Sequence, residues 1–219
     1  MRVRYINKKL LKSILLICLA DGIFGLSYGS TATSYGFPLW VAAALSVLVL
    51  AGASEFLFVT IVGGGGSIAA AVVAGLLVNA RHLPFGMAVK DLIGRSATRY
   101  LGYHIMNDES VVVGLAQKSP RRARAAFWLC GMGIFLIWPL CVVLGGVIGQ
   151  IIPDPASIGL DAVFPAILLA LTLQALKNRQ TLISALSGVT IALILSPFLP
   201  VGLPVLCALS GLLIRDKTS

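Results

Sequence analysis

Three ionisable side chains stand inside long hydrophobic stretches of this chain. Asp21 lies in one apolar run, Glu55 in the next, and Arg81 in a third. A charge at the centre of a bilayer costs about 2.5–3.5 kcal/mol, so such residues need partners and mark solute pathways. Two acids and an arginine fork are also the groups that meet the ammonium and the carboxylate of a zwitterion. Together they predict binding and passage of a small solute.

The stretch 19-LADGIFGLSYGSTATSYG-36 surrounds Asp21 with glycines and hydroxyl groups. Glycine weakens a helix, and unwound helices in transporters expose groups that bind substrate. We expect an unwound segment that lines a substrate path, with Asp21 and Tyr28 as binding groups. The alternative is a loosely hydrophobic helix end whose hydroxyl groups serve ordinary packing.

The stretch 76-LLVNARHLPFGMAVKD-91 interrupts a third apolar run with polar residues and a proline. Proline cannot continue the hydrogen-bond ladder of the preceding turn, so residues 79–84 predict a break. Asn79 and Arg81 are expected to bind substrate. His82, whose side chain titrates near neutral pH, is a candidate proton carrier.

Glu55, in 51-AGASEFLFV-59, allows three interpretations. It is a substrate-binding counter-ion to Arg81, a proton carrier, or one half of a structural ion pair. In the last case, Arg81 pairs with Glu55 or Asp21 only to hold the fold.

Three further acids have more ordinary interpretations. Asp108 and Glu109, in 105-IMNDESVVVG-114, are expected to form local salt bridges or a gate. Asp161 opens an apolar run in 158-IGLDAVFPAILLALT-172, where an acid near a helix start is a normal cap.

The elements that must position these residues are membrane helices. Of the 219 residues, 58% are hydrophobic and only 11% are charged, against roughly 25% charged in a soluble domain. Each crossing needs about 20 apolar residues. We therefore predict an all-α, polytopic membrane protein with six to seven spans and one transport domain over residues 1–219. The apolar runs are 13–35, 38–62, 67–89, 125–149, 157–176, 180–198 and 201–214.

The net charge of +9 lies almost entirely between these runs. Basic residues cluster before the first run, in the connector 90–124, in a tight turn at 177–179 and at the end of the chain. The positive-inside rule places these segments in the cytoplasm, including both termini. We expect contact with the lipid bilayer and no binding of nucleic acid.

Charge parity then constrains the third run. With the amino terminus and the connector on one side, an even number of crossings must precede residue 90. Runs 13–35 and 38–62 supply two, so 67–89 is expected to be re-entrant or broken rather than one clean crossing. The alternative is a weak crossing near 100–116. Irregular backbone at membrane depth requires enclosure by protein or a water-filled cavity.

No metal-binding or nucleotide-binding motif accompanies these features, and no catalytic motif stands in its usual structural context. The chain lacks the phosphate-binding G-x-x-x-x-G-K-[ST] pattern, and its single G-x-S-x-G match, residues 25–29, lies inside an apolar run rather than between a strand and a helix. Its four cysteines fall inside apolar runs without C-x-x-C spacing, as buried structural thiols do. We expect neither an enzyme nor a cofactor or metal. A channel or a membrane scaffold without active transport remains the alternative function.

The order AGASEF, NARHLPFG, NDES and GLDAVFPAILLALT resembles the AzlC-type branched-chain amino acid exporter family over nearly the whole chain. The resemblance implies the large subunit of a two-component secondary transporter in the bacterial cytoplasmic membrane, with a small hydrophobic AzlD-type subunit as partner. It implies export of valine, leucine, isoleucine and, in some members, methionine. Because no nucleotide-binding loop is present, the proton gradient is the expected energy source.

The family pattern covers the residues of AGASEF apart from Glu55, then Arg81, His82, Gly86, Asp108, Glu109, Pro165 and Ala166. Glutamine is usual in the family where this chain has Glu55. That departure adds an ionisable group to the second run.

Overall fold

The computed structural model describes residues 6–151, 166, 169, 172–173 and 176–213, and all the regular structure in this part of the chain is helical. Asp161 and Pro165 lie outside the described residues. The helices are α1 (Lys8–Ser34), α2 (Leu39–Leu48), α3 (Gly52–Gly63), α4 (Ile68–Asn79), α5 (His82–Ile93), α6 (Arg99–His104), α7 (Asp108–Leu115), α8 (Pro120–Ile151), α9 (Arg179–Leu195) and α10 (Leu203–Cys207), followed by a 3-10 helix, Ala208–Leu213.

Helices α1 and α8 form the scaffold. They contain 27 and 32 residues, or about 40 Å and 48 Å at 1.5 Å per residue, enough for a hydrocarbon core of about 30 Å. They lie parallel, since Gly22 packs against Ile137 and Gly149 packs against Ser30. Their leading basic clusters therefore share one end of the pair, which we call the amino end, as the charge rule requires. The clusters are Lys8, Lys9 and Lys12 in α1 and Arg121, Arg122 and Arg124 in α8.

Glycines set the close approach of these two helices. A Cβ on Gly29 would collide with the carbonyl of Val142, and one on Gly145 would collide with Leu26. The Gly25/Gly29 and Gly145/Gly149 pairs thus act as small-residue packing motifs.

The predicted unwound segment at 19–36 is wrong, because α1 continues without interruption to Ser34. Its glycines make room for α8 instead of loosening the helix. Two of its hydroxyl groups bond back to the helix itself. Thr33 Oγ1 donates to the Gly29 carbonyl at 3.1 Å, and Ser34 Oγ donates to the Thr31 carbonyl at 2.8 Å.

Helices α2 and α3 form a hairpin, here called the first hairpin, that enters and leaves at the carboxyl end of the scaffold. Leu39 packs against Gly146, and Gly63 packs against Tyr35 just beyond α1. The turn between them, residues 49–51, lies at mid-height and holds Leu50 at φ 51°. The prediction of one full crossing over 38–62 is therefore wrong, since this segment returns to the end from which it came.

Helices α4 and α5 form one broken helix, bent by 43° at Ala80 and Arg81. The pair runs the full height of the scaffold, because Gly94, which follows α5, packs against Arg124 at the amino end. The predicted break is confirmed, but the re-entrant alternative belongs to 38–62 rather than to this run. Pro84 is the third residue of α5, where its missing N–H costs no helical hydrogen bond.

Helices α6 and α7 form a second hairpin, which enters from the amino end. Ile105 packs against Gly131, and Gly114 packs against Phe127 nearer that end. The turn at 105–107 is also at mid-height, so this part of the connector enters the helical bundle and reverses without the weak crossing considered for 100–116. The hairpins touch where His104 Nε2–H donates to the Val47 carbonyl at 2.8 Å.

In the described residues, two helices are long and apolar enough to span a membrane, and a third candidate span arises if α4 and α5 count as one. The total of six to seven stays a prediction. Outward-facing apolar side chains on α1, such as Leu16 and Leu19, are 56% and 60% exposed, as suits contact with lipid or another apolar surface.

Candidate functional site

A cavity of about 120 Å³ lies where the three interrupted segments meet. The interruptions are the hairpin turns at 49–51 and 105–107 and the bend at Ala80 and Arg81. Its apolar wall consists of Phe24, Leu50, Phe56, Ile134 and Trp138. Its polar wall consists of Asp21, Arg81, His82, Asn107, Asp108 and Glu109, together with the backbone at Ala51, Gly52 and Ala53. The cavity is thus amphipathic.

Asp21 comes from the middle of α1 and is only 9% exposed. Its Oδ2 has no hydrogen-bond partner among the described residues. Burying a carboxylate without a partner is costly. Asp21 is therefore suited to a cation that enters the cavity.

The tip of the first hairpin presents the amino-terminal end of α3. The N–H groups of Ser54 and Glu55 donate to the Ala51 carbonyl at 2.9 and 3.1 Å. In the described part of the chain, the N–H groups of Gly52 and Ala53 have no acceptor. Such helix ends carry partial positive charge and bind anions.

Glu55 lies behind this tip and is 1% exposed. Its Oε1 accepts from the Ala51 N–H at 2.8 Å, and its Oε2 accepts from Trp138 Nε1–H at 3.3 Å. The Trp138 ring stacks on Tyr28 with centroids 6.0 Å apart. The two carboxylate oxygens of Glu55 thus hold the first tip and the Trp138 ring of the cavity wall in place. The Tyr28 hydroxyl also lies behind this wall and has no partner among the described residues.

The break in the α4–α5 helix joins the two hairpins. Asn79 Nδ2 donates to Ser54 Oγ of the first hairpin at 3.0 Å. Arg81 Nη1 lies 2.9 Å from Asp108 Oδ2 of the second. The expectation that Arg81 pairs with Glu55 or Asp21 is therefore wrong. His82 Nδ1 lies 3.0 Å from the Asn79 carbonyl, which makes that nitrogen the donor.

The tip of the second hairpin is a capped helix start. Asn107 Oδ1 accepts from the Ser110 N–H at 2.8 Å, and Ser110 Oγ accepts from the Asn107 N–H at 3.0 Å. Asp108 and Glu109 follow in the first turn of α7. Both acids line the cavity.

The structure brings Asp21, Arg81, His82, Asp108 and Glu109 together on the cavity wall. The other predicted residues in the described part, Tyr28, Glu55 and Asn79, lie one layer behind. Sequence reasoning missed Asn107. The available signal was the pattern N-D-E-S before the apolar VVVGL, which is typical of a capped helix start.

The described residues contain no group of three His, Cys, Asp or Glu side chains placed to hold a metal ion. Cys18 and Cys130 are buried, Cys141 and Cys207 are partly exposed, and all four are free thiols.

Comparison with known proteins gives the relationships of the chain. The sequence profile described as AzlC protein matches residues 16–152. The branched-chain amino acid transport protein AzlC of Bacillus subtilis (strain 168) is 26% identical over 168 residues, which is 75% of this chain and 65% of that protein. An uncharacterized membrane protein of Helicobacter pylori (strain J99) is 23% identical over 177 residues, 78% of this chain and 76% of the relative. No solved structure matches. Because the profile covers more than half of its residues, this chain belongs to the AzlC protein family.

Proposed function

We propose that this chain is the large subunit of a two-component secondary transporter that exports branched-chain or other hydrophobic amino acids from the bacterial cytoplasm. Its cargo includes valine, leucine and isoleucine, with methionine as a further candidate. It lies in the cytoplasmic membrane with both termini inside, beside a small hydrophobic AzlD-type subunit. The family membership and the name of the Bacillus subtilis relative, a branched-chain amino acid transport protein, support this cargo.

The observation that carries the proposal is the amphipathic cavity at mid-height. An aliphatic side chain would rest on Phe24, Phe56, Ile134 and Trp138, while the ammonium group would meet Asp21. The volume of about 120 Å³ is of the same order as the cavity of about 150 Å³ that takes one benzene molecule. That scale suits one small organic solute such as a single amino acid.

Export against a gradient requires energy. The sequence contains no phosphate-binding loop, so we assign the proton gradient as the source, with His82 on the cavity wall and Glu55 behind it as the carriers. The hairpins support alternating access, because they approach the cavity from opposite ends of the scaffold.

The test is efflux from cells preloaded with labelled valine, with and without this chain and its small partner. We expect faster efflux that saturates with valine and falls when the proton gradient is collapsed. Equal efflux with and without the chain for valine, leucine, isoleucine and methionine would remove the cargo assignment. Efflux that neither saturates nor depends on the gradient would instead identify a channel.

Two substitutions connect that activity to the cavity. Asp21→Asn should slow valine efflux about tenfold or more, because an ammonium loses its charged partner. Arg81→Ala should abolish efflux while the protein still inserts. Asp91→Asn is the matched control for the aspartate, since Asp91 lies exposed on α5, and it should leave efflux unchanged.

A further inference from the structure

We infer that the cavity contains a dedicated carboxylate subsite formed by Asn107 Nδ2 and the N–H groups of Gly52 and Ala53. This inference rests on the proposed function and specifies its ligand as a free α-amino acid, bound through both charged groups. Amines and amino acid amides that share its side chain are then poor ligands.

The orientation of Asn107 is fixed by its own cap. The Ser110 N–H is a donor, so the side-chain atom that meets it at 2.8 Å must be the acceptor Oδ1. Nδ2 therefore occupies the other position of the amide. Asn107 is 8% exposed and lines the cavity, and Nδ2 has no partner among the described residues. A buried amide without a partner is a donor held ready for an acceptor that enters.

The first hairpin supplies the other half of the subsite. Glu55 Oε1 accepts from the Ala51 N–H. The next two amides, of Gly52 and Ala53, have no acceptor among the described residues and belong to residues that line the cavity. Neither residue has a side chain large enough to cover them. Two successive amides at a helix start are a ready anion site.

The surrounding charges favour a zwitterion over a simple ion. Among the described residues, three carboxyl groups, from Asp21, Asp108 and Glu109, line the cavity together with the guanidinium of Arg81. Nη1 of Arg81 is already paired with Asp108, which balances its charge, although its Nε has no partner among the described residues. A ligand with only a carboxylate would add negative charge to this set. A ligand with only an ammonium would leave Asn107 and the α3 amides without an acceptor.

The test compares Asn107→Asp and Asn107→Ser with the wild type. All three are used as the full chain, in the same membranes in which valine transport is measured. Both replacements are good helix caps and keep an acceptor for the Ser110 N–H. Aspartate replaces the amide donor with negative charge, whereas serine removes the amide without adding charge. Thermal unfolding midpoints within a few degrees of the wild type establish that both variants fold.

Competition with valine transport is measured for leucine, valinamide, isobutylamine and 3-methylbutanoate. In the wild type, leucine should compete best. Asn107→Asp should weaken the affinity for valine about 10- to 100-fold, and Asn107→Ser should weaken it less. Isobutylamine should compete in Asn107→Asp at least as well as it does in the wild type.

The outcomes separate the two proposals. Normal valine affinity in both Asn107 variants, or wild-type competition by isobutylamine equal to that by leucine, would overturn the subsite and leave the transport function standing. If the wild type moves no valine, the transport function fails. Ligand-induced thermal stabilisation by valine then decides the subsite. The subsite is upheld if Asn107→Asp abolishes the stabilisation, and it is overturned if the variant is stabilised as much as the wild type or if neither protein is stabilised.

Discussion

The two hairpins begin their second helix with the same local structure but present opposite chemistry to the cavity. In the first, Ser54 Oγ donates to the Ala51 carbonyl at 2.8 Å, and in the second, Ser110 Oγ donates to the Asn107 carbonyl at 3.0 Å. Between the paired residues, the first tip carries Gly52 and Ala53, whereas the second carries Asp108 and Glu109. The same fold element thus offers bare backbone on one side of the cavity and charged side chains on the other.

The hairpins also enter in opposite directions. The first follows α1, which ends at the carboxyl end of the scaffold, and the second follows the α4–α5 helix, which ends at the amino end. Each unit is a full-height helix and a half-height hairpin, and the two units are inverted relative to one another. Transporters with inverted units bind their solute where the units meet. A small bare tip and a charged tip would then give the two ends of a zwitterion different surroundings.

The largest expected effect comes from covering the bare tip. A Cβ on Gly52 would lie 2.8 Å from the Trp138 ring, so Gly52→Ala must displace a ring that is stacked on Tyr28 and bonded to Glu55. The cavity is the space into which the ring can move. We expect valine transport to fall at least tenfold, measured in reconstituted vesicles.

Gly75→Ala is the matched control for that change. Its Cβ would lie 3.6 Å from its nearest neighbour, the Cβ of Ser54, an ordinary contact in a helix that prefers alanine to glycine. Transport should be unchanged and stability equal or higher. Normal transport by Gly52→Ala would show that the first tip does not need to be bare.

The interruptions along the chain show how far sequence reasoning reaches. The second interruption along the chain was predictable, because Arg81, His82 and Pro84 stand together in an apolar run. The first was not. Residues 38–62 are long enough for one crossing, and the reversal at Leu50 depends on tertiary contacts such as that between Gly63 and Tyr35.

Residue type also led to wrong predictions where the same type of residue can serve two structural purposes. The glycines near Asp21 indicated a loosened helix, but Gly25 and Gly29 are there because α8 approaches so closely. The polar composition of 90–124 indicated a simple connector. Its apolar residues Ile105, Met106 and Val111 are buried instead, and they carry the second tip into the site. Periodicity and composition do not specify which neighbour a segment will pack against.

An intermediate effect is expected from Glu55, whose side chain accepts hydrogen bonds from the first tip and from Trp138. Glu55→Gln leaves one acceptor oxygen for two donors, the Ala51 N–H and Trp138 Nε1–H. An unpaired buried donor costs about 1–3 kcal/mol, so the free energy of unfolding should fall by that amount, measured by titration with sodium dodecyl sulfate in mixed micelles. An unchanged free energy of unfolding would show that these two hydrogen bonds of Glu55 do not stabilise the fold. Loss of proton dependence in the efflux of this variant would identify Glu55 as a proton carrier, whereas a purely structural Glu55 leaves that dependence intact.

The smallest expected effect separates the two serines. Ser54 joins its hairpin to the broken helix through Asn79 Nδ2 at 3.0 Å. Within the part of the chain that the structure describes, the hydrogen bonds of Ser110 stay inside its own cap. Ser54→Ala and Asn79→Ala should therefore be non-additive, with a coupling of about 0.5–1.5 kcal/mol in the free energy of unfolding. Ser110→Ala and Asn79→Ala should add. Equal coupling in both cycles would contradict this difference. It would show that Asn79 of the broken helix is coupled energetically to both hairpins and not to the first one alone.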